Sequence, residues 1–181
     1  MNISARLILA GIWGALIIAA LAAPLLLSAS FPTAAILTYL PFSFFCHQIP
    51  ERSFTFLNYP LAVCHRCSGI YLGLFLGALL SPFFFRIPPR ARRTCILSSA
   101  ALLALDALLP FTGIWSGFWQ CRFLTGLAFG VTAAPFAVKG IDEILTRIFH
   151  GDSDAEAQSR KASESKTLPA APPRPIKGIL S

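Results

Sequence analysis

Charge is what this sequence has least of. Only 13% of its 181 residues are Asp, Glu, Lys or Arg, and eight are acidic. Soluble domains carry about 25% charged residues, so a water-facing globule is a poor account of the chain. Histidine and tyrosine occur three times each and methionine once. No nucleotide-binding or hydrolase motif is present. The haem-attachment spacing C-x-x-C-H is absent too, because Ser68 follows Cys67.

Apolar residues are plentiful instead, at 55% of the chain, with a mean hydropathy of +0.67. Several nearly uncharged runs reach the roughly 18–20 residues that cross a bilayer as a helix. Spans are expected at about residues 7–27, 67–85, 94–111 and 123–139. They predict an all-α integral membrane four-helix bundle over residues 1–149, with the lipid bilayer as its partner. Residues 150–181, rich in Ser, Ala and Pro with mixed charge, predict a disordered cytoplasmic tail.

The net charge of +7 marks orientation and not nucleic acid. Arg86, Arg90, Arg92 and Arg93 share one short connection without an acidic residue, and such loops stay cytoplasmic. Both termini then lie inside, and the loop of about residues 29–63 faces outward from the cell membrane. At the N-terminus, Arg6 and a run ending in Leu27–Ser30 also suit a cleaved signal. The run is near 20 residues, longer than the ~7–15 of a signal core, which favours a retained anchor.

Pro32, Pro41, Pro50 and Pro60 punctuate the external loop, and Thr33–Phe45 is apolar but too short to span, as a half-helix would be. Trp115, Phe118 and Trp119 fall where an outer aromatic belt would lie. Gly69, Gly73 and Gly77, Gly126 and Gly130, and Gly11, Ala15, Ala19 and Ala23 recur every four residues. Small residues at that spacing let helices approach closely in lipid.

The chemistry is concentrated in one segment, Cys46–Cys67, which holds three of five cysteines and two of three histidines. On a helix, Cys64, Cys67 and Tyr71 share a face and the glycines fall opposite. The thiols stand at a helix start, where the dipole favours thiolate. Cys46 and His47 with Cys64 and Cys67 make a four-donor set of the kind zinc takes. Redox chemistry competes: an outward C-x-x-C can exchange disulfides, with Cys64 and Cys67 as the catalytic pair and Cys46 or Cys121 in a second pair. A structural disulfide tying the loop to the bundle is the third alternative.

Asp106 lies within the third span and needs a partner there. Arg122, Arg52 and His47 are the candidates, and Arg52, Tyr71, Asp106 and Arg122 are candidate supporting or substrate contacts. Cys95 is expected to pack, His65 to point away from the thiols, and His150 to be solvated.

"CHQIPERSF" at Cys46–Phe54 and "CHRCSGIYLG" at Cys64–Gly73 resemble DUF2085, a family of small prokaryotic membrane proteins. Asp106 and "RFLTGLAFG" at Arg122–Gly130 are similar to its later elements. The resemblance runs from about Cys46 to Gly130. It implies importance for Cys46, His47, Gln48, Arg52, Cys64, Arg66, Cys67, Gly69, Tyr71, Asp106, Arg122 and Gly126. His65 and Ala107 depart from its pattern, standing where a small residue and a glycine are expected. The family has no settled activity, so the resemblance marks a site without naming its chemistry.

Overall fold

The computed structural model describes the backbone of residues 3–112 and 118–167 and the side chains of residues 3–110 and 118–147. Helix α1 is Ile3–Ser28, α2 is Pro32–Ser43, α3 is His65–Phe84, α4 is Pro89–Leu108 and α5 is Trp119–Thr167. A hairpin of β1 (Ser53–Phe56) and β2 (Tyr59–Cys64) stands between α2 and α3. The chain divides into two units, Met1–Asp142 and Glu143–Ser181.

Three helices are long and apolar enough to cross a membrane: Ile3–Ser28, His65–Phe84 and the Trp119–Arg147 part of α5. Helix α4, expected as a further span, takes in three of the arginines assigned to the connection before it. Pro89 occupies its first turn with φ already helical, and arginine is a good helix former. The connection shrinks to residues 85–88, and the charge now inside α4 keeps it below the hydropathy of the other three.

The first unit is assembled on small residues. Adding a Cβ at Gly69, Gly73 or Gly77 would bring it to 2.2, 2.4 and 2.6 Å from the carbonyl oxygens of Phe123, Leu127 and Val131. Reciprocally, a Cβ at Gly126 or Gly130 would meet the carbonyl oxygens of Arg66 and Ile70 at 2.3 and 2.4 Å. The two glycine stripes therefore interlock backbone to backbone, as their spacing predicts. The contacts advance along both helices together, so α3 and α5 run parallel.

The stripe expected on α1 is packed at Ala19 and Ala23 but not at Gly11 and Ala15. Its buried residues are Ala5, Leu9, Ala10, Ala20, Ala23 and Pro24, whereas Gly11 has nothing within 4 Å and Ala15 is exposed. Gly14 instead receives the ring of Phe75 at 3.4 Å, Trp13 stacks on Tyr71 at 5.8 Å, and Arg6 Nη2 donates to the Leu79 carbonyl at 2.9 Å. These pairs set α1 antiparallel to α3. A four-residue repeat precesses around a 3.6-residue helix, so such a stripe need not coincide with the buried face.

The segment of residues 29–63 holds more order than its prolines suggest. Helix α2 realises the half-helix, with Ile36, Leu37 and Leu40 exposed along it and Phe44 and Phe45 beyond it. The hairpin is new. Leu57 and Asn58 both have positive φ, 53° and 67°, the backbone of a two-residue turn whose twist suits paired strands. Asparagine tolerates that region; leucine does so at a cost. Register pairs Phe56 with Tyr59, Thr55 with Pro60 and Ser53 with Cys64, with an irregularity between Ser53 and Thr55.

Helix α5 continues through residues 151–167, where an unstructured tail was expected. Ala, Glu, Gln, Lys and Arg together make up nine of these residues and proline is absent, so local propensity supports a helix. Residues 168–181, the Trp115 of the expected aromatic belt and the side chain of His150 lie outside the described residues. Phe118 and Trp119 of that belt are exposed.

Candidate metal centre

The site forms where β2 turns directly into α3. Cys64 is both the last residue of the strand and the N-cap of the helix, with extended backbone (φ −72°, ψ 165°). One turn on, Cys67 lies on the same face. The third thiol, Cys46, comes from the end of α2, where its N–H donates to the Phe42 carbonyl at 2.9 Å. The Sγ atoms of Cys46, Cys64 and Cys67 all lie within 4.8 Å of one another.

This grouping is held from outside. Gln48, at φ 49°, donates through Nε2 to the carbonyls of Tyr39 at 2.8 Å and Ala62 at 2.9 Å, pinning the Cys46 turn to α2 and β2. The Tyr39 hydroxyl donates to the Pro60 carbonyl and joins α2 to the hairpin. Beneath the thiols, Ala20, Ala23, Phe42, Ala62 and Val63 form an apolar floor against which Cys64, Cys67 and Tyr71 pack. The resemblance marks Gln48, but nothing in the sequence assigns it this clamping role.

Cys46 is 4% exposed, yet its sulfur accepts a hydrogen bond from the Cys64 N–H at 3.2 Å. Hydrogen bonds from Cys46 and then Cys67 hold the Cys64 thiol far below its ordinary range, at about 2, against the opposing effect of burial. All five cysteines are free thiols. Cys95 and Cys121 are exposed and stand outside the group, so Cys46 is the residue brought to the C-x-x-C.

The cluster opens on a cavity of about 530 Å³. Its lining includes the three thiols with His47, Arg52, Arg66 and Arg122. His47 is exposed and is not one of the three mutually close donors, though it faces the same space. His65 turns away, as expected. Its ring meets Phe54 edge-on at 4.4 Å and lies near Trp119, and its buried Nδ1 has no hydrogen-bond partner.

Asp106 is 7% exposed and is gripped by Arg66, whose Nε donates to Oδ2 at 2.9 Å. The guanidinium also bonds through Nη2 to the same carboxylate oxygen and to the Asp106 carbonyl. Arg66, between the two cysteines, was not among the partners the sequence suggested for Asp106. A helix-borne acid requires a cation, but spacing alone cannot choose among four nearby candidates.

Long apolar helices interlocked through glycine, with a thiol cluster at one end, define a helical membrane protein. The chain belongs to the DUF2085 family, described as a predicted membrane protein, which it matches over residues 46–136. That match contains the three thiols, His47, Gln48, Asp106 and the three arginines of the cavity. An uncharacterised protein of Methanocaldococcus jannaschii is 31% identical over 116 residues, covering 61% of this chain and 72% of that relative. One of Methanothermobacter thermautotrophicus is 34% identical over 96 residues, covering 51% of this chain and 84% of that relative. No solved structure matches.

Proposed function

We propose that this protein is a four-span cell-membrane protein, with both termini cytoplasmic, whose outward-facing thiol cluster binds zinc. Cys46, Cys64 and Cys67 hold the ion, and His47 is the candidate fourth donor. The observation carrying this reading is that three sulfurs from separate local structures stand within 4.8 Å of one another. Thiolates bound tetrahedrally to zinc at 2.3 Å are about 3.8 Å apart, so modest closure suffices. A disulfide joins only two sulfurs and leaves the third without a use. The Cys64 N–H on the Cys46 sulfur, at 3.2 Å, ties the third thiol to the C-x-x-C.

Parallel α3 and α5 support the fourth span. If both cross the membrane, the chain must return between Phe84 and Trp119, and α4 is the long helix available. Its contacts agree: Arg66 at the start of α3 meets Asp106 near the end of α4, and Ser99 Oγ lies 2.7 Å from Thr132 Oγ1 on α5. Arg90, Arg92 and Arg93 would then sit at its cytoplasmic end.

Metal content and free thiols counted on protein purified without chelators test the metal reading. Stoichiometric zinc that disappears in Cys64→Ser is expected. Metal-free protein carrying a Cys64–Cys67 disulfide that exchanges with a thiol donor would replace it with the oxidoreductase reading. An inert disulfide would leave a structural role.

A further inference from the structure

Three arginines reach the cavity beside the thiols from three different elements. Arg52 ends the 3-10 turn before β1, Arg66 lies in the first turn of α3, and Arg122 in the first turn of α5. Hairpin register places Ser53 opposite Cys64, which carries Arg52 to the thiol edge. Arg122 is 8% exposed. Among the described residues no Asp or Glu lines the cavity; Asp106 lies behind Arg66 and fixes its guanidinium.

The remaining wall is apolar, formed by Phe45, Ile49, Ala107 and Pro110. A volume of about 530 Å³ falls within the ~300–1,000 Å³ of small-molecule sites. Phosphate monoesters present three oxygens and a charge of about −1.5 to −2, and the planar guanidinium fork matches their geometry.

We propose that this cavity binds a phosphate monoester, with Arg52, Arg66 and Arg122 as its guanidinium contacts and the apolar wall receiving the group attached to the phosphate. This deepens the reading of the same site by naming a ligand class, but its contacts are arginines and not thiols. Both a phosphomonoester lipid headgroup and a soluble phosphate carry the required chemistry.

Calorimetry with inorganic phosphate on the full-length protein in zwitterionic detergent, and native mass spectrometry after exposure to phosphatidic acid or phosphatidylcholine, test the proposal. Saturable phosphate binding without a preference for phosphatidic acid supports it with a soluble ligand. Retention of phosphatidic acid over phosphatidylcholine supports it with a lipid ligand. In either arm Arg52→Gln and Arg122→Gln should weaken binding about tenfold or more, the effect of losing one charge-assisted hydrogen bond. Arg52 is exposed, so its variant should keep the wild-type elution profile and thiol count. Failure of wild-type protein to bind either probe overturns the proposal, as does equal binding by wild type and both variants. Cys64→Ser separates the two readings. Metal lost in that variant with phosphate binding retained leaves the anion site standing, whereas wild-type protein that holds zinc but binds no phosphate removes the anion site alone.

Discussion

Arg66 and Asp106 tie the start of α3 to the end of α4, with Nε 2.9 Å from Oδ2 and Nη2 3.1 Å from the Asp106 carbonyl. The pair does two jobs. It satisfies an acid in a largely apolar helix, and it aims a guanidinium into the cavity beside the thiols.

Removing one partner should therefore cost more than removing both charges. Asp106→Asn leaves a half-buried guanidinium without its carboxylate, a change worth about 3 kcal/mol, the low end for broken buried pairs because Arg66 is 26% exposed. The double variant Arg66→Gln/Asp106→Asn should recover part of that loss. Thermal unfolding in detergent across the four-protein cycle checks it. Additive effects in the cycle would show that the pair contributes no coupling.

Glycine substitutions on two helices should behave oppositely. A Cβ at Gly73 would stand 2.4 Å from the Leu127 carbonyl oxygen and 2.9 Å from Gly130 Cα, both backbone atoms that cannot swing aside. Gly73→Ala should destabilise by about 1–3 kcal/mol, the range for overpacking. Gly11 has open space, so Gly11→Ala should be neutral or stabilise by up to about 1 kcal/mol through helix propensity. Melting temperatures of the two single variants measure the contrast.

Gln48 should matter to the site more than to the fold. Gln48→Ala removes two donors, freeing the Tyr39 and Ala62 carbonyls and the turn that carries Cys46. On the zinc reading, affinity should fall about 10–100-fold, as when a support of a ligand is removed, while global melting changes little. Competition with a chromogenic chelator gives the affinity. Unchanged affinity would mean that α2 alone positions Cys46.

Much of this arrangement is legible in the amino-acid sequence. Glycine spacing marks the packing faces of α3 and α5, because period-four small residues report close backbone approach, but not which helices meet. Cys64, Cys67 and Tyr71 share a face by helical arithmetic, and all three pack on the same apolar floor. Other features depend on non-local choices. The hairpin turn is Leu57–Asn58, without the glycine that usually betrays it. Asp106 is gripped by Arg66, which spacing did not single out, while Arg122 also lies within reach of its charge. The arginines of α4 resemble a loop by charge but fold as a helix, because Pro89 and arginine both suit its first turns.

Orientation can be read from Cys121. It is exposed at the start of α5 and stands outside the thiol cluster, whereas Cys46 is too buried to report cleanly. In the proposed topology α5 starts outside, at the same end as Cys64. A membrane-impermeant maleimide added to intact cells expressing a Cys95→Ala variant should therefore modify Cys121. Cys121→Ser should abolish most of that labelling, and chelation should then admit slower reaction at the cluster if zinc protects it. Modification of Cys121 only after permeabilisation would invert the topology and place the cluster and its arginine-lined cavity on the cytoplasmic side.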